Sequence, residues 1–145
     1  MFVKRTNDIN DIIRLVPIEV KLREKEKSPV KAQELLAFVQ SQLNNPLFYP
    51  IIVYEDETEA KIIVYIFLLA VTIPIMDMKQ VNVMRVWYDH GQDRKAMREL
   101  GMNIIRDVAE YHGIKKVRIE VARGAKVYER AWGFKPVSTV MERRV

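Results

Sequence analysis

The chain contains no cysteine, which excludes disulfides, a thiol nucleophile and a thiolate metal site. Histidine is scarce too. His90 and His112 stand alone in the sequence, so no cluster with metal-ligand spacing can be assembled and no metal is expected. Only five glycines are present, and they form no GxxxxGK[ST] phosphate loop. An elbow motif for a serine nucleophile, an aromatic RNA-binding run and zinc spacing are also missing. The longest apolar stretch, residues 62–76, is interrupted by Thr72 and Pro74 and is shorter than the roughly 18 residues that a membrane span needs. The opening Met1-Phe2-Val3-Lys4-Arg5 lacks a secretory apolar region. These absences lead to the expectation of a soluble, cytoplasmic protein.

What is present is an ordinary globular composition, 49% apolar and 30% charged over 145 residues. That length suits a single domain, 1–145, with a sizeable core. The formal charge of +5 favours anionic partners such as a nucleotide cofactor, a nucleic acid or an acidic surface.

Periodicity divides the chain into elements. A first strand is expected at residues 2–5. Asn7 or Asp8 can cap a helix carrying Ile9, Ile12, Ile13 and Val16 on one face, which Pro17 ends or kinks. The charged run at residues 21–27 reads as a solvated helix face or loop. Ser28-Pro29 marks a helix start, with a buried stripe of Leu35, Leu36, Val39 and Leu43. Strands are predicted at residues 48–54 and 60–69, joined by a polar hairpin, and a third at 81–88. The clearest helix covers residues 94–112, where Met97, Leu100, Gly101, Ile104, Ile105, Val108 and Ala109 share one face and Gly113 closes the end. A strand at 116–121, a short helix at 125–132 and a last strand at 134–142 complete the order β-α-α-β-β-β-α-β-α-β. The class is α/β (α+β): a mixed, mostly antiparallel sheet with helices on both faces.

The segment from Ala109 through Gly113 to Val121, and the run Val127-Tyr128-Glu129-Arg130-Ala131-Trp132-Gly133-Phe134-Lys135-Pro136, resemble the GNAT superfamily of acetyl-CoA-dependent N-acyltransferases. The sequence likeness lies within residues 81–145; the first 80 residues match in element order alone. The resemblance implies acetyl-CoA (coenzyme A) as cofactor, bound where the fourth strand feeds the long helix. There the family carries a motif of Gln or Arg, two residues, Gly, one residue, then Gly or Ala, so that helix N-terminal amides meet the pyrophosphate. The matching stretch here is Asp93-Arg94-Lys95-Ala96-Met97-Arg98. Ala96 replaces the first glycine, Arg98 replaces the second small residue, and Asp93 puts a carboxylate where a cation or amide is usual. In one reading Arg94, Lys95 and Arg98 compensate with side-chain cations aimed at the phosphates. In the other, Asp93 is an N-cap and the basic residues form a solvated first turn.

The resemblance also implies an oxyanion donor from backbone amides at a bulge in the fourth strand, matched here by Trp87, Tyr88 and Asp89. It implies a tyrosine acid for the leaving thiolate, four residues before the glycine of the Gly-Phe pair. Tyr128 stands five residues before Gly133, with Trp132 as the extra residue, and such a shift turns a helical side chain by about 100°. Candidate bases are Glu19, on the loop that borders the acceptor, and Asp89 and His90 at the end of the fourth strand. The expected activity is acetyl transfer to an amine of a small molecule or protein. An inactive GNAT-like binding or structural module is the alternative, and nucleic-acid binding is suggested by the net charge alone. The acceptor is not legible, and a homodimer is left open.

Overall fold

The computed structural model describes residues 1–26, 32–120, 125–137, 141, 143 and 144. Strand β1 (Phe2–Arg5) is followed by three helices, α1 (Ile9–Ile13), α2 (Val16–Glu26) and α3 (Ala32–Gln42). Strands β2 (Phe48–Tyr54), β3 (Ile62–Ile73) and β4 (Met78–Tyr88) come next, then helix α4 (Arg94–Tyr111), strand β5 (Val117–Ile119) and helix α5 (Ala125–Trp132). Among the described residues no helix is long and apolar enough to cross a membrane.

The strands form one sheet in chain order, β1-β2-β3-β4-β5, antiparallel throughout except for the parallel β4–β5 pair. Helices α4 and α5 cover one face, where Met97, Ile104, Ile105, Val108 and Trp132 pack on Val64, Ile66, Leu68 and Val81. Helices α1–α3 cover the other, where Ile12, Leu15 and Val39 pack on Phe48, Ile52, Tyr54, Tyr65 and Phe67. The mixed, mostly antiparallel sheet with helices on both faces is therefore the observed architecture.

The elements diverge from the sequence reading in several places. The first helix ends at Ile13, earlier than expected and four residues before Pro17, whose ring and missing N–H rule out a helical bond back to the Ile13 carbonyl. Pro17 itself lies in the first turn of α2, where a missing N–H costs no hydrogen bond. Residues 21–26 of the charged run lie on α2, while the Ser28-Pro29 helix start falls outside the described residues. The β3–β4 hairpin is longer than expected. It continues past the end of β2, which pairs only as far as Leu69, to a 3₁₀ turn at Pro74–Met76 that leaves Ile75 95% exposed. The last strand, expected at residues 134–142, is not formed at 134–137. Gly133 turns the chain at φ 72°, Pro136 has no N–H to give a ladder, and Lys135, Pro136 and Val137 are exposed.

One irregularity in β4 decides what the strand presents. Leu68 pairs with Val83 but Phe67 pairs with Arg85, so Met84 is an extra residue on β4. Before this bulge Val81 and Val83 face the α4 layer; after it Val86 and Tyr88 do. Arg85 and Trp87 are thereby turned to the opposite face, beneath α2.

Candidate functional site

The parallel pairing of β5 with β4 covers only Val81, Asn82 and Val83. From Met84 onward β4 has no β5 partner among the described residues, so the described pairing ends at the bulge. This point lies toward the C-terminal ends of the two parallel strands, the same end at which the β4–α4 turn delivers the N-terminus of α4. In open α/β sheets this is where ligands enter.

The turn is rigidly built. Asp89 accepts from the Gly91 N–H at 3.2 Å and forms an ion pair with Lys61 at 3.5 Å, while its own N–H reaches the Ile63 carbonyl at 2.8 Å. The Gly91 amide is the main cause holding the Asp89 carboxyl below its ordinary range, with Gln92 and Lys61 adding to it against a contribution from burial. Asp89 is thus a turn-forming carboxylate with reduced basicity. His90 is exposed and sets its ring edge-on to Tyr88, with centroids 5.6 Å apart.

Asp93 is the N-cap of α4. Its Oδ1 accepts from the Ala96 N–H at 3.0 Å, and its carbonyl accepts from the Met97 N–H at 3.0 Å. Its carboxylate therefore occupies one amide that a phosphate would otherwise use. Arg94, Lys95 and Ala96 are exposed and Arg98 is half-buried. Arg94, Lys95 and Arg98 form no ion pair among the described residues, so the helix start carries three cations against the one Asp93 carboxylate, in addition to its dipole. Met97 turns the other way, into the core.

Tyr128 is half-buried on α5, its ring 6.0 Å from Trp132 and 6.3 Å from Phe134, while Glu129 is exposed. Trp132, the extra residue in the sequence reading, lies over Gly101 of α4. A Cβ at that glycine would stand 3.0 Å from the indole. Gly101 is needed for close packing, which periodicity alone did not reveal.

Glu19 lies on helix α2 rather than on a loop, and it is fully buried on the opposite face of the sheet from Tyr128. Tyr65 donates a hydrogen bond to its Oε1. Arg85 grips both carboxylate oxygens, Nε to Oε1 at 2.9 Å and Nη2 to Oε2 at 3.2 Å, and Arg23 pairs with Oε2 at 3.2 Å. Burial, reinforced by the Glu19 charge, pushes the Tyr65 phenol far above its ordinary pKa, so it stays protonated. Trp87 stacks on Tyr65 at 5.3 Å. This network went unread in the sequence; an arginine in the middle of an apolar strand was its one visible sign. The fold therefore sets Glu19 apart from the other candidate bases, on the opposite face of the sheet from Tyr128. Glu19 is out of solvent, Asp89 is engaged in a turn, and Tyr88 packs against the α4-side core. The expected bulge at Trp87, Tyr88 and Asp89 is corrected as well, since it lies at Met84, where the described pairing with β5 ends.

The sequence matches no family profile and no curated protein. Its fold matches solved structures over nearly the whole chain. A predicted acetyltransferase with acetyl-CoA from Clostridium acetobutylicum superimposes with a TM-score of 0.76 at 17% identity, covering 99% of this chain and 95% of that one. A possible acetyltransferase from Clostridium difficile 630 gives 0.72 at 14% identity, over 99% and 96% of the two chains. Ribosomal-protein-alanine N-acetyltransferase from Brucella melitensis biovar Abortus 2308 gives 0.68 at 14% identity, over 99% and 100%.

Proposed function

From the premise that this chain carries the GNAT acetyltransferase fold, we propose that it is a divergent N-acyltransferase that moves an acetyl group from acetyl-CoA to an amine of a small molecule or protein. The observation that carries this reading is the conjunction at one end of the sheet. From Met84 the edge of β4 has no β5 partner among the described residues, and Arg94, Lys95 and Arg98 lie at the start of α4, the helix that β4 feeds, without ion pairs among them.

The residues present fit the cofactor in kind. The diphosphate would meet the guanidinium groups of Arg94 and Arg98, the Lys95 ammonium and the first-turn amides ahead of Ala96. When bound, acetyl-CoA supplies an activated thioester. The backbone of β4 after the bulge at Met84 offers N–H donors to polarise a carbonyl, in a strand edge held rigid by β3 on its other side. Tyr128 is the acid for the departing sulfur. Proton removal from the amine falls to His90, the exposed candidate base in the β4–α4 turn. The expected location is the cytoplasm.

One observation favours a second reading, a GNAT-like module without activity: the Asp93 carboxylate already holds the Ala96 amide. Calorimetric titration with acetyl-CoA and with coenzyme A at low salt decides between them. Micromolar binding, weakened at least about tenfold when Arg94, Lys95 and Arg98 are all changed to Ala, supports the enzyme, because each lost charge-assisted contact removes about 1.5–3 kcal/mol. No binding at millimolar ligand removes it, and unchanged affinity in the triple variant removes the proposed phosphate site.

A further inference from the structure

The buried network around Glu19 has no part in the chemistry above, yet it joins helix α2 to the stretch of β4 beyond the described β5 pairing. We infer that Glu19 is a positioning residue: acting through Arg85, it fixes the bulge at Met84 and so aligns the edge of β4 on which the proposed transfer depends. The inference rests on the acyltransferase reading for its catalytic consequence and on the strand geometry for its cause.

A strand without the bulge keeps its alternation, so Val81, Val83 and Arg85 would share one face. Arg85 would then enter the apolar layer beneath α4, alongside Ile66 and Val83, with no carboxylate to meet it. The extra residue reverses the parity, setting Arg85 opposite Phe67 and Trp87 opposite Tyr65 on the α2 side. There Glu19, fully buried, takes the guanidinium through both oxygens, and its other hydrogen bond comes from Tyr65, the residue that faces Trp87 across β3 and β4. Two residues of β4 are thus pinned from one carboxylate, Arg85 directly and Trp87 through the stacked Tyr65 ring. Both follow Met84, and β5 gives no support to that stretch among the described residues. On the α2 side, Glu19 holds this part of the strand in register through Arg85.

A structural ion pair with no such role would behave differently, and Arg23 makes the distinction measurable. Arg23 shares the same carboxylate but stands on α2 itself, one helical turn on from Glu19, so that pair joins two residues of one helix. The experiment compares Glu19→Gln, Arg85→Gln and Arg23→Gln for acetyl-CoA affinity and steady-state acetyl transfer to a panel of small primary amines. Amide hydrogen exchange at residues 84–87 is measured on the same proteins.

Glu19→Gln and Arg85→Gln are expected to lower kcat by about ten- to a hundredfold, as misaligned groups do, with the acetyl-CoA Kd held within about twofold. Exchange at residues 84–87 should accelerate in both. Arg23→Gln should leave kcat and exchange close to wild type, and Glu19→Asp, which keeps the charge, should recover part of the loss. Equal effects of the Arg23 and Arg85 changes overturn the inference, as does an unchanged kcat in Glu19→Gln while the wild type is active. A wild type that neither binds nor uses acetyl-CoA overturns the acyltransferase reading instead. The exchange data then decide the structural half alone, and unchanged protection at residues 84–87 in Glu19→Gln removes it. Should Glu19→Gln fail to fold, Arg85→Gln carries the comparison.

Discussion

On the α4 side of the sheet, Trp132 rests against a glycine in a cluster of aliphatic and aromatic side chains with no buried ion pair among the described residues. On the α2 side, a carboxylate, two guanidinium groups and a phenol are enclosed between a helix and two strands. The first face is held by burial and shape, which tolerate exchange among apolar residues of similar volume. The second adds to its own apolar core a set of partners that must all be present, because a buried charge without its counterion is far more costly than a lost methyl group. Packing gives the domain its stability, while the polar face fixes which residues of β4 look which way. The face with the sharper specification is the one joined to the bulge.

The largest effect should come from breaking the polar face. Glu19→Ala leaves the Arg85 and Arg23 guanidinium groups without their shared carboxylate and should lower the unfolding free energy by about 3–5 kcal/mol. Urea denaturation followed by circular dichroism measures this. Changing Glu19 and Arg85 together to Met should lose less than Glu19→Ala alone, and a larger loss would mean that the pair itself stabilises the fold.

On the apolar face, Gly101→Ala sets a Cβ 3.0 Å from the Trp132 ring. Overpacking of that kind costs about 1–3 kcal/mol, from which the better helix propensity of alanine returns up to about 1 kcal/mol. A small net loss with altered tryptophan emission is expected. A gain in stability would show that Trp132 can move aside.

The smallest effect concerns Asp11, in the hydrogen-bonded group beside β1. Burial pushes its carboxyl upward, but the Thr6 hydroxyl at 2.5 Å and the Lys4 ammonium at 3.1 Å outweigh this and hold it below the ordinary range. A carboxyl whose folded pKa is depressed binds its proton more readily when unfolded. Its stabilisation is therefore present above the unfolded value of about 3.9 and is lost as the pH falls through the lower folded value. Asp11→Asn should flatten stability against pH below about pH 4 and leave the shape of the curve above pH 5 unchanged. A curve that keeps the wild-type slope in acid would assign that slope to other carboxylates.

Much of the frame was legible because its signals are local. The boundaries of β2 and α5 follow from apolar and turn patterning, and the capped start of α4 follows from Asp93. The bulge was not legible. Whether Arg85 points up or down depends on a one-residue slip against β3, and residues 81–88 read as an unbroken strand in either phase. The Gly101–Trp132 contact was missed for a similar reason, since it joins two helices and leaves no trace in either period. Of the candidate site, the basic start of α4 and Tyr128 were marked by the family resemblance within residues 81–145, not by periodicity. The surroundings of Glu19 were not marked, because three of its partners lie in other turns or strands.

The brevity of the β4–β5 pairing also bears on how the chain folds. Strands β2, β3 and β4 follow one another through hairpins, so their contacts close short loops, whereas β5 can join only after α4 has formed and crossed over. Contacts that enclose more chain form more slowly, and a seam of three residue pairs gives little in return. The β5 strand should be the last element to dock during refolding and among the first to detach in native-state fluctuations. Pulsed labelling of the amides at residues 117–119 would reveal this as late protection. The same narrow seam, three residue pairs among the described residues, is thus also the sheet's kinetic hinge.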